Sequence, residues 1–250
     1  MKREWVYGLH VIESLLKHAP ERVLRIAVAK GREDSRLQSL IEQARAMGIA
    51  VEAVDRDRLS RRLGEVVHQG VAAEIRSAPP GDERALDARL DALEAPPFLL
   101  VLDGVQDPHN LGACLRSADA AGAHGVVVPR DRAARLTPAA RKAASGAAET
   151  LPLFVVTNLA RTLGRLRERG IWLHGLDVRG DSLLFEADLT GPVGLVLGAE
   201  GKGMRRLIRE ACDALHRLPM RGHVESLNVS ATAAVALYEA VRQRIAVSRL

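Results

Sequence analysis

Three stretches of the chain set polar and glycine residues directly after apolar runs, where backbone and side chains can meet a ligand together. The first is Leu102-Asp103-Gly104-Val105-Gln106-Asp107-Pro108-His109-Asn110-Leu111-Gly112-Ala113-Cys114-Leu115-Arg116. An apolar strand there enters turn formers, Asn110 is placed to cap a helix, and Arg116 follows in its second turn near the strand end. A guanidinium at that point is a planar fork for a phosphate or an emerging oxyanion. The same residues also fit a plain cap plus an i,i+3 pair between Arg116 and Asp119.

The second stretch is Gly194-Leu195-Val196-Leu197-Gly198-Ala199-Glu200-Gly201-Lys202-Gly203-Met204. Glycines at 198, 201 and 203 let backbone approach a ligand, or simply make a turn. A Walker loop would need Gly at 196 and Ser or Thr at 203, where Val196 and Gly203 stand, and a GxGxxG begun at Gly201 ends on Arg206. Neither phosphate motif is present. The third stretch, Leu218-Pro219-Met220-Arg221-Gly222-His223-Val224-Glu225-Ser226-Leu227-Asn228, sets Ser226 and Asn228 at the mouth of an Ala-rich helix striped by Leu237, Val241 and Ile245.

Other chemistries fall away. The histidines include no i,i+4 pair and no HExxH, and Cys114 and Cys212 stand alone, so neither a metal site nor a disulfide framework is expected and a reducing, cytoplasmic setting fits. Ser145, within Ala143-Ala144-Ser145-Gly146-Ala147, misses the hydrolase elbow pattern. Over 250 residues, 47% hydrophobic and 27% charged content predicts a folded globular chain. No apolar run is long enough to span a membrane, and the N-terminal residues lack a signal-peptide core. The net charge of +5 suits a polyanionic partner, but 3% aromatic content is too little for base-stacking platforms.

These stretches need elements to hold them. Residues 1–76 read as a small α/β unit, with helical spacing at Leu9, Ile12, Leu15 and Leu16, a strand over Val23 to Ala29, a second helix around Leu37 to Ala44, and strands over 49–54 and 71–75. Residues 77–97, with Pro79, Pro80, Gly81, Pro96 and Pro97, read as a linker bearing one short helix. From 98 to 250, apolar runs at 98–102, 125–128, 153–156, 171–176 and 193–197 alternate with helical segments at about 110–121, 137–144, 158–169, 203–211 and 227–246. That pattern predicts a parallel sheet covered on both faces, with ligands at the carboxyl ends of its strands.

Asn110-x-Gly112 with Arg116, then Leu197-Gly198-Ala199-Glu200-Gly201, then Leu218-Pro219-Met220 with Ser226-Leu227-Asn228 resemble, in order, the three motifs of the SpoU/TrmH family of RNA ribose 2′-O-methyltransferases. The opening Val6-Tyr7-Gly8-Leu9-His10 and His68-Gln69-Gly70-Val71 look closest to the branch that methylates a guanosine of 23S ribosomal RNA. The resemblance implies a trefoil-knotted α/β methyltransferase (SPOUT) domain behind a small L30e-like RNA-binding domain. It further implies a homodimer acting on 23S ribosomal RNA or its precursor particle, S-adenosylmethionine as methyl donor, no metal and no membrane partner. Carried onto this chain, Leu197, Gly198, Gly201, Leu218, Met220 and Leu227 would hold the adenosyl group, Glu200, Ser226 and Asn228 would order the loops and the methionine end, and Arg116 with Asn110 would face the ribose. RNA capture would fall to Arg56, Arg58, Arg61, Arg62, His68 and Gln69, although the interleaved Asp55 and Asp57 equally suit a solvated helix face. A transfer-RNA substrate, or a catalytically silent dimeric RNA-binding protein, stays open as an alternative.

Overall fold

A computed structural model describes residues 3–31, 34–64, 66, 68–77, 79–201 and 203–247. The N-terminal unit runs β1 (Arg3–Tyr7), α1 (Leu9–His18), β2 (Val23–Ala29), α2 (Ser35–Ala46), β3 (Ala50–Val54), α3 (Arg56–Leu63) and β4 (Val71–Arg76). Its strands form a mixed sheet in the order β1-β4-β2-β3, parallel only between β2 and β3. Strand alternation decides the faces: Ile26, Val28, Val71 and Ile75 pack with Ile12 and Leu15 of α1 and Leu37 and Leu40 of α2, while Ala27, Ala29 and Ala72 meet Leu59 of α3 on the other side.

The chain continues through α4 (Glu83–Asp91), β5 (Phe98–Asp103), α5 (Pro108–Ala120), β6 (Gly125–Pro129), α6 (Pro138–Ala143), α7 (Ala147–Thr150), β7 (Leu153–Val156), α8 (Leu159–Glu168), β8 (Trp172–Leu176), β9 (Ser182–Leu183), β10 (Val193–Gly198), α9 (Arg206–Glu210), β11 (Ala214–Arg217) and α10 (Val229–Val247). Seven strands make one sheet, β7-β6-β5-β10-β8-β11-β9, in which each pair is parallel. Both faces are covered, which is why the strands read as unbroken apolar runs. Leu100, Leu102, Val126 and Leu195 bury against Leu111 and Leu115 of α5 and Ala233 and Leu237 of α10. Leu99, Val101, Val127 and Val196 bury against Leu163 and Leu166 of α8 and Ile208 of α9.

The proline-rich stretch ahead of β5 carries α4, capped by Asp82, whose Oδ1 accepts from Ala85 N at 2.9 Å. Leu86 and Leu90 of α4 join the α8-side core, and Gly81 bridges to Phe154 of β7, so this segment packs with the large sheet.

One local expectation is corrected. Asp107, not Asn110, caps α5: its Oδ1 accepts from His109 N at 2.9 Å, with Pro108 at the first helical position. Proline's fixed φ and missing N–H favour that position, so the helix starts earlier and Asn110 falls in its first turn with its side chain released from capping. Nor does Arg116 pair with Asp119, which instead accepts from Thr150 Oγ1 at 2.8 Å.

Candidate active site

The cleft begins where β10 leaves the sheet. Ala199 N donates to Gly203 O at 3.2 Å and Gly203 N to Ala199 O at 2.8 Å, closing a tight turn in which Gly201 and Gly203 adopt left-handed φ of 72° and 64°. A Cβ on Gly198 would lie 2.1 Å from Gly203 C and from Met204 N, so glycine at 198 is demanded by the turn's own backbone. Beyond the turn, Asp103 at the end of β5 takes Arg205 N on Oδ2 at 2.8 Å and Arg205 Nε on Oδ1 at 2.7 Å, its side chain wholly buried. Two neighbouring parallel strands thus fix both ends of one loop.

A cleft of about 930 Å³ opens beside this turn. All six residues expected to hold an adenosyl group line it: Leu197, Gly198, Gly201, Leu218, Met220 and Leu227, joined by Glu200 and Ser226. Four aliphatic side chains with glycine backbone between them suit a flat apolar ring edged by hydrogen-bonding atoms.

At the cleft's rim, Asn228 links segments far apart in the chain. Its Nδ2 donates to Glu200 Oε1 and to Asn110 Oδ1 at 3.1 Å, and Glu200 Oε1 also accepts from Val229 N at 3.4 Å. Asn228 Oδ1 accepts from Ser230 N at 2.8 Å, so one amide both starts α10 and joins the other two motifs. Asn110, Glu200 and Asn228 therefore form one cluster. Ser226 and Leu227 are exposed beside it. Arg116 is separate: it is exposed on α5, does not line the cleft, and makes no hydrogen bond or ion pair with the described residues.

Three groups at the cleft were not singled out from sequence. Asp103 and Asp177 each end an apolar strand run with a carboxylate, a pattern that marks the ligand end of a parallel sheet. Asp177 lines the cleft and accepts from Arg179 N at 2.9 Å; burial opposes its ionisation, but that hydrogen bond and the Arg179 and Arg209 guanidinia hold its carboxyl below the usual range. His216, also lining the cleft, belongs to a buried chain. His174 Nδ1 lies 2.8 Å from His216 Nε2, and Ser182 Oγ lies 2.8 Å from His216 Nδ1. His174 Nε2 is buried without a partner, so it is better left as a lone pair, which places the proton on Nδ1 facing His216. Burial and the neighbouring ring push His174 down to about 4, and both rings are neutral at pH 7.

Thiol chemistry is excluded, since burial pushes both Cys114 and Cys212 up to about 12. Among the described residues no His, Cys, Asp and Glu group could hold a metal ion, and no helix is long and apolar enough to cross a membrane.

In the N-terminal unit, Arg56, Arg58, Arg61 and Arg62 all lie on α3, with Arg62 stacked 4.5 Å over the Trp5 ring. Gln69 is exposed at φ 53°. His68 is different: it is 4% exposed, its Nδ1 accepts from Gly70 N at 3.0 Å, and its Nε2 meets Ser60 Oγ at 3.0 Å. Its ring shapes the loop from inside and offers no face to a ligand, because both nitrogens are already committed.

A parallel sheet whose strand-end loops build an apolar cleft rimmed by an Asn–Glu–Asn cluster is the arrangement of an α/β domain with a small-molecule site at the carboxyl ends of its strands. Residues 97–238 match the SpoU rRNA methylase family and residues 5–81 match the RNA 2′-O ribose methyltransferase substrate-binding family. The chain belongs to the SpoU rRNA methylase family. It is 54% identical to the 23S rRNA (guanosine-2′-O-)-methyltransferase RlmB of Pseudomonas syringae, over 97% of each chain. With the RlmB of Pectobacterium atrosepticum it shares 52% identity over 96% of this chain and 98% of that one. The SpoU methyltransferase AviRb of Streptomyces viridochromogenes, solved with AdoMet, superposes with a TM-score of 0.80 at 28% identity, covering 98% of this chain and 91% of AviRb.

Proposed function

We propose that this protein transfers a methyl group from S-adenosylmethionine to the ribose 2′-oxygen of a guanosine in 23S ribosomal RNA, as the names of its curated relatives state for them. The observation that carries the reading is the union of three sequence-distant motifs, through Asn110, Glu200 and Asn228, at the mouth of the cleft. The cleft fits the methyl donor, with Leu197, Leu218, Met220 and Leu227 for the adenosyl group and the Gly198–Gly203 turn for backbone contacts. When bound, S-adenosylmethionine supplies an electrophilic methyl group, so the chain's own task is to align the nucleophile and manage one proton.

A neutral 2′-hydroxyl is a weak nucleophile, and its oxygen gains charge as it reacts. The Arg116 guanidinium offers only donors, which makes it a donor to the emerging alkoxide and an anchor for the adjacent phosphate; that phosphate or water accepts the proton. Asn110, Glu200 and Asn228 hold the loops in register, and Ser226 orders the methionine end. We place the exposed Arg116, which makes no hydrogen bond or ion pair with the described residues, in a homodimer where it reaches the neighbouring subunit's cleft. The exposed Val235 and Tyr238 of α10 offer apolar surface for that contact. The trefoil threading of the C-terminal strands and RNA capture by α3 and Gln69 belong to the same proposal.

The test uses purified protein, methyl-labelled S-adenosylmethionine and a 23S transcript, followed by digestion and mass spectrometry. The expected product is 2′-O-methylguanosine; label on a base, or none on RNA, would overturn the proposal.

A further inference from the structure

The two sheets are joined by a charge cluster with a sealed centre, Arg141 and Glu149, and two partly exposed outer members, Glu4 and Arg22. Arg141 of α6 is 3% exposed, and Glu149 of α7 is fully buried; Arg141 binds Glu149 and, through Nη2, Glu4 Oε1 of β1 at 3.0 Å. Arg22, just ahead of β2, closes the set with Nη1 at 2.8 Å from Glu149 Oε2. Two members come from the N-terminal unit and two from the large domain. Around them, Ser14 Oγ of α1 donates to Gly146 O at 3.1 Å, and Lys142 Nζ sits 5.4 Å over the Tyr7 ring. Gly146 adopts φ 99°, and a Cβ there would lie 2.6 Å from Ser14 Cβ, so the units meet at backbone distance.

Such a cluster is a poor source of stability. Desolvating four charges costs several kcal/mol per ion, and apolar replacements of like volume often do as well. Arg141 Nε, Glu4 Oε1 and Glu149 Oε2 make no hydrogen bond, so the two pairs that cross between the units are ion pairs at contact distance and the set is only partly satisfied. What such charge pairs do supply is a docking register, because a shifted contact would leave the buried Arg141 and Glu149 facing apolar surface. That register leads to the catalytic helix: α6 and α7 pack on α5, where a Cβ on Gly112 would lie 2.3 Å from Ala140 O, and Thr150 holds Asp119 of α5. α5 carries both Asn110 and Arg116.

We propose that Glu4, Arg22, Arg141 and Glu149 are positioning residues that lock the RNA-capture unit onto the α5–α6–α7 face and so fix where captured RNA lies relative to Arg116. The inference rests on the methyl-transfer reading above. The lock predicts a split between binding and turnover. In Arg141→Met and Glu149→Gln, small-angle scattering should show a larger radius of gyration and protease should cut faster within 77–97. RNA affinity and S-adenosylmethionine affinity by calorimetry should stay within about twofold, while kcat on RNA falls about tenfold, the size of a lost coupling of 1–2 kcal/mol. Should these variants fail to fold, Arg22→Met at the cluster's rim carries the same test, with Arg22→Lys expected to restore turnover. Unchanged scattering, or a loosened variant that still turns over RNA at the parental rate, would overturn the proposal. If the parent itself methylates no RNA, the functional reading fails, while scattering and proteolysis still decide whether the lock exists.

Discussion

The basic face of α3 and the cleft beside β10 are both rich in polar groups, but they are built on different principles. On α3 the charged side chains are exposed and lightly held: Arg61 reaches back to Asp57 O, and Arg62 lies over the Trp5 ring of β1. At the cleft the decisive ties run between distant segments: Asn228 to Asn110 across 118 residues, and Arg205 to Asp103 across 102. A long-range field tolerates imprecise placement of its charges, whereas presenting a reacting atom requires positions fixed to a fraction of an ångström. The contrast teaches where substitution should be tolerated and where it should not.

The sharpest way to break that contrast is at Arg116, which is exposed like the α3 arginines yet assigned to the reaction. Arg116→Ala should lower the single-turnover methylation rate by roughly 10²–10³, the usual loss for one oxyanion donor, with S-adenosylmethionine affinity unchanged. Arg116→Lys should recover little of it, since an ammonium lacks the planar fork. A near-parental rate in the lysine variant would place Arg116 with the capture surface instead.

Next in size is Gly198→Ala. The added carbon meets the Gly203–Met204 peptide, so urea denaturation should report a loss of about 1–3 kcal/mol, and calorimetry a matching collapse of S-adenosylmethionine binding. Full retention of both would mean the turn is not the rigid wall its geometry indicates. On the capture side, changing Arg56, Arg58, Arg61 and Arg62 to Gln together should lower the slope of log affinity against log salt by roughly 3, with kcat at saturating RNA kept. An unchanged slope would assign α3 to solvent alone.

The smallest effect concerns pH. His174 titrates near 4 when folded, against an ordinary value of about 6.5, because burial disfavours its charged form. Below about pH 6.5 the unfolded chain gains a proton that the folded chain refuses, so stability falls with pH through the window from about 6.5 to about 4 and then levels off. Thermal unfolding should show Tm falling across that window, and His174→Val should flatten the fall. Equal slopes in parent and variant would show that the buried histidine chain under the cleft does not govern acid sensitivity.

Much of this was written locally. The unbroken apolar runs 98–102 and 193–197 announced strands buried on both faces, and they became the paired centre of the sheet, β5 beside β10. The six apolar and glycine residues of the cleft came from the resemblance to the SpoU/TrmH motifs, since the glycines at 198, 201 and 203 taken locally fit a plain turn as well as a ligand loop. Asn110 suits a cap by residue type alone, and it is Pro108 at the first helical position that gives the role to Asp107. His68 is expected to join RNA capture with Gln69, yet folding buries its ring and brings Ser60 Oγ within 3.0 Å of it.

The chain by itself determined its period-2 and period-3.6 segments, the glycines its turns require, and the order of its three motifs, because these depend on neighbours within a few residues. Tertiary structure alone decided that Asn228 would join Glu200 and Asn110, that Asp103 would clamp Arg205, and that Arg141 and Glu149 would be sealed between two sheets. Those pairings span tens to more than a hundred residues, and a side chain acquires such a partner only after the packing of apolar faces has set which loops lie together.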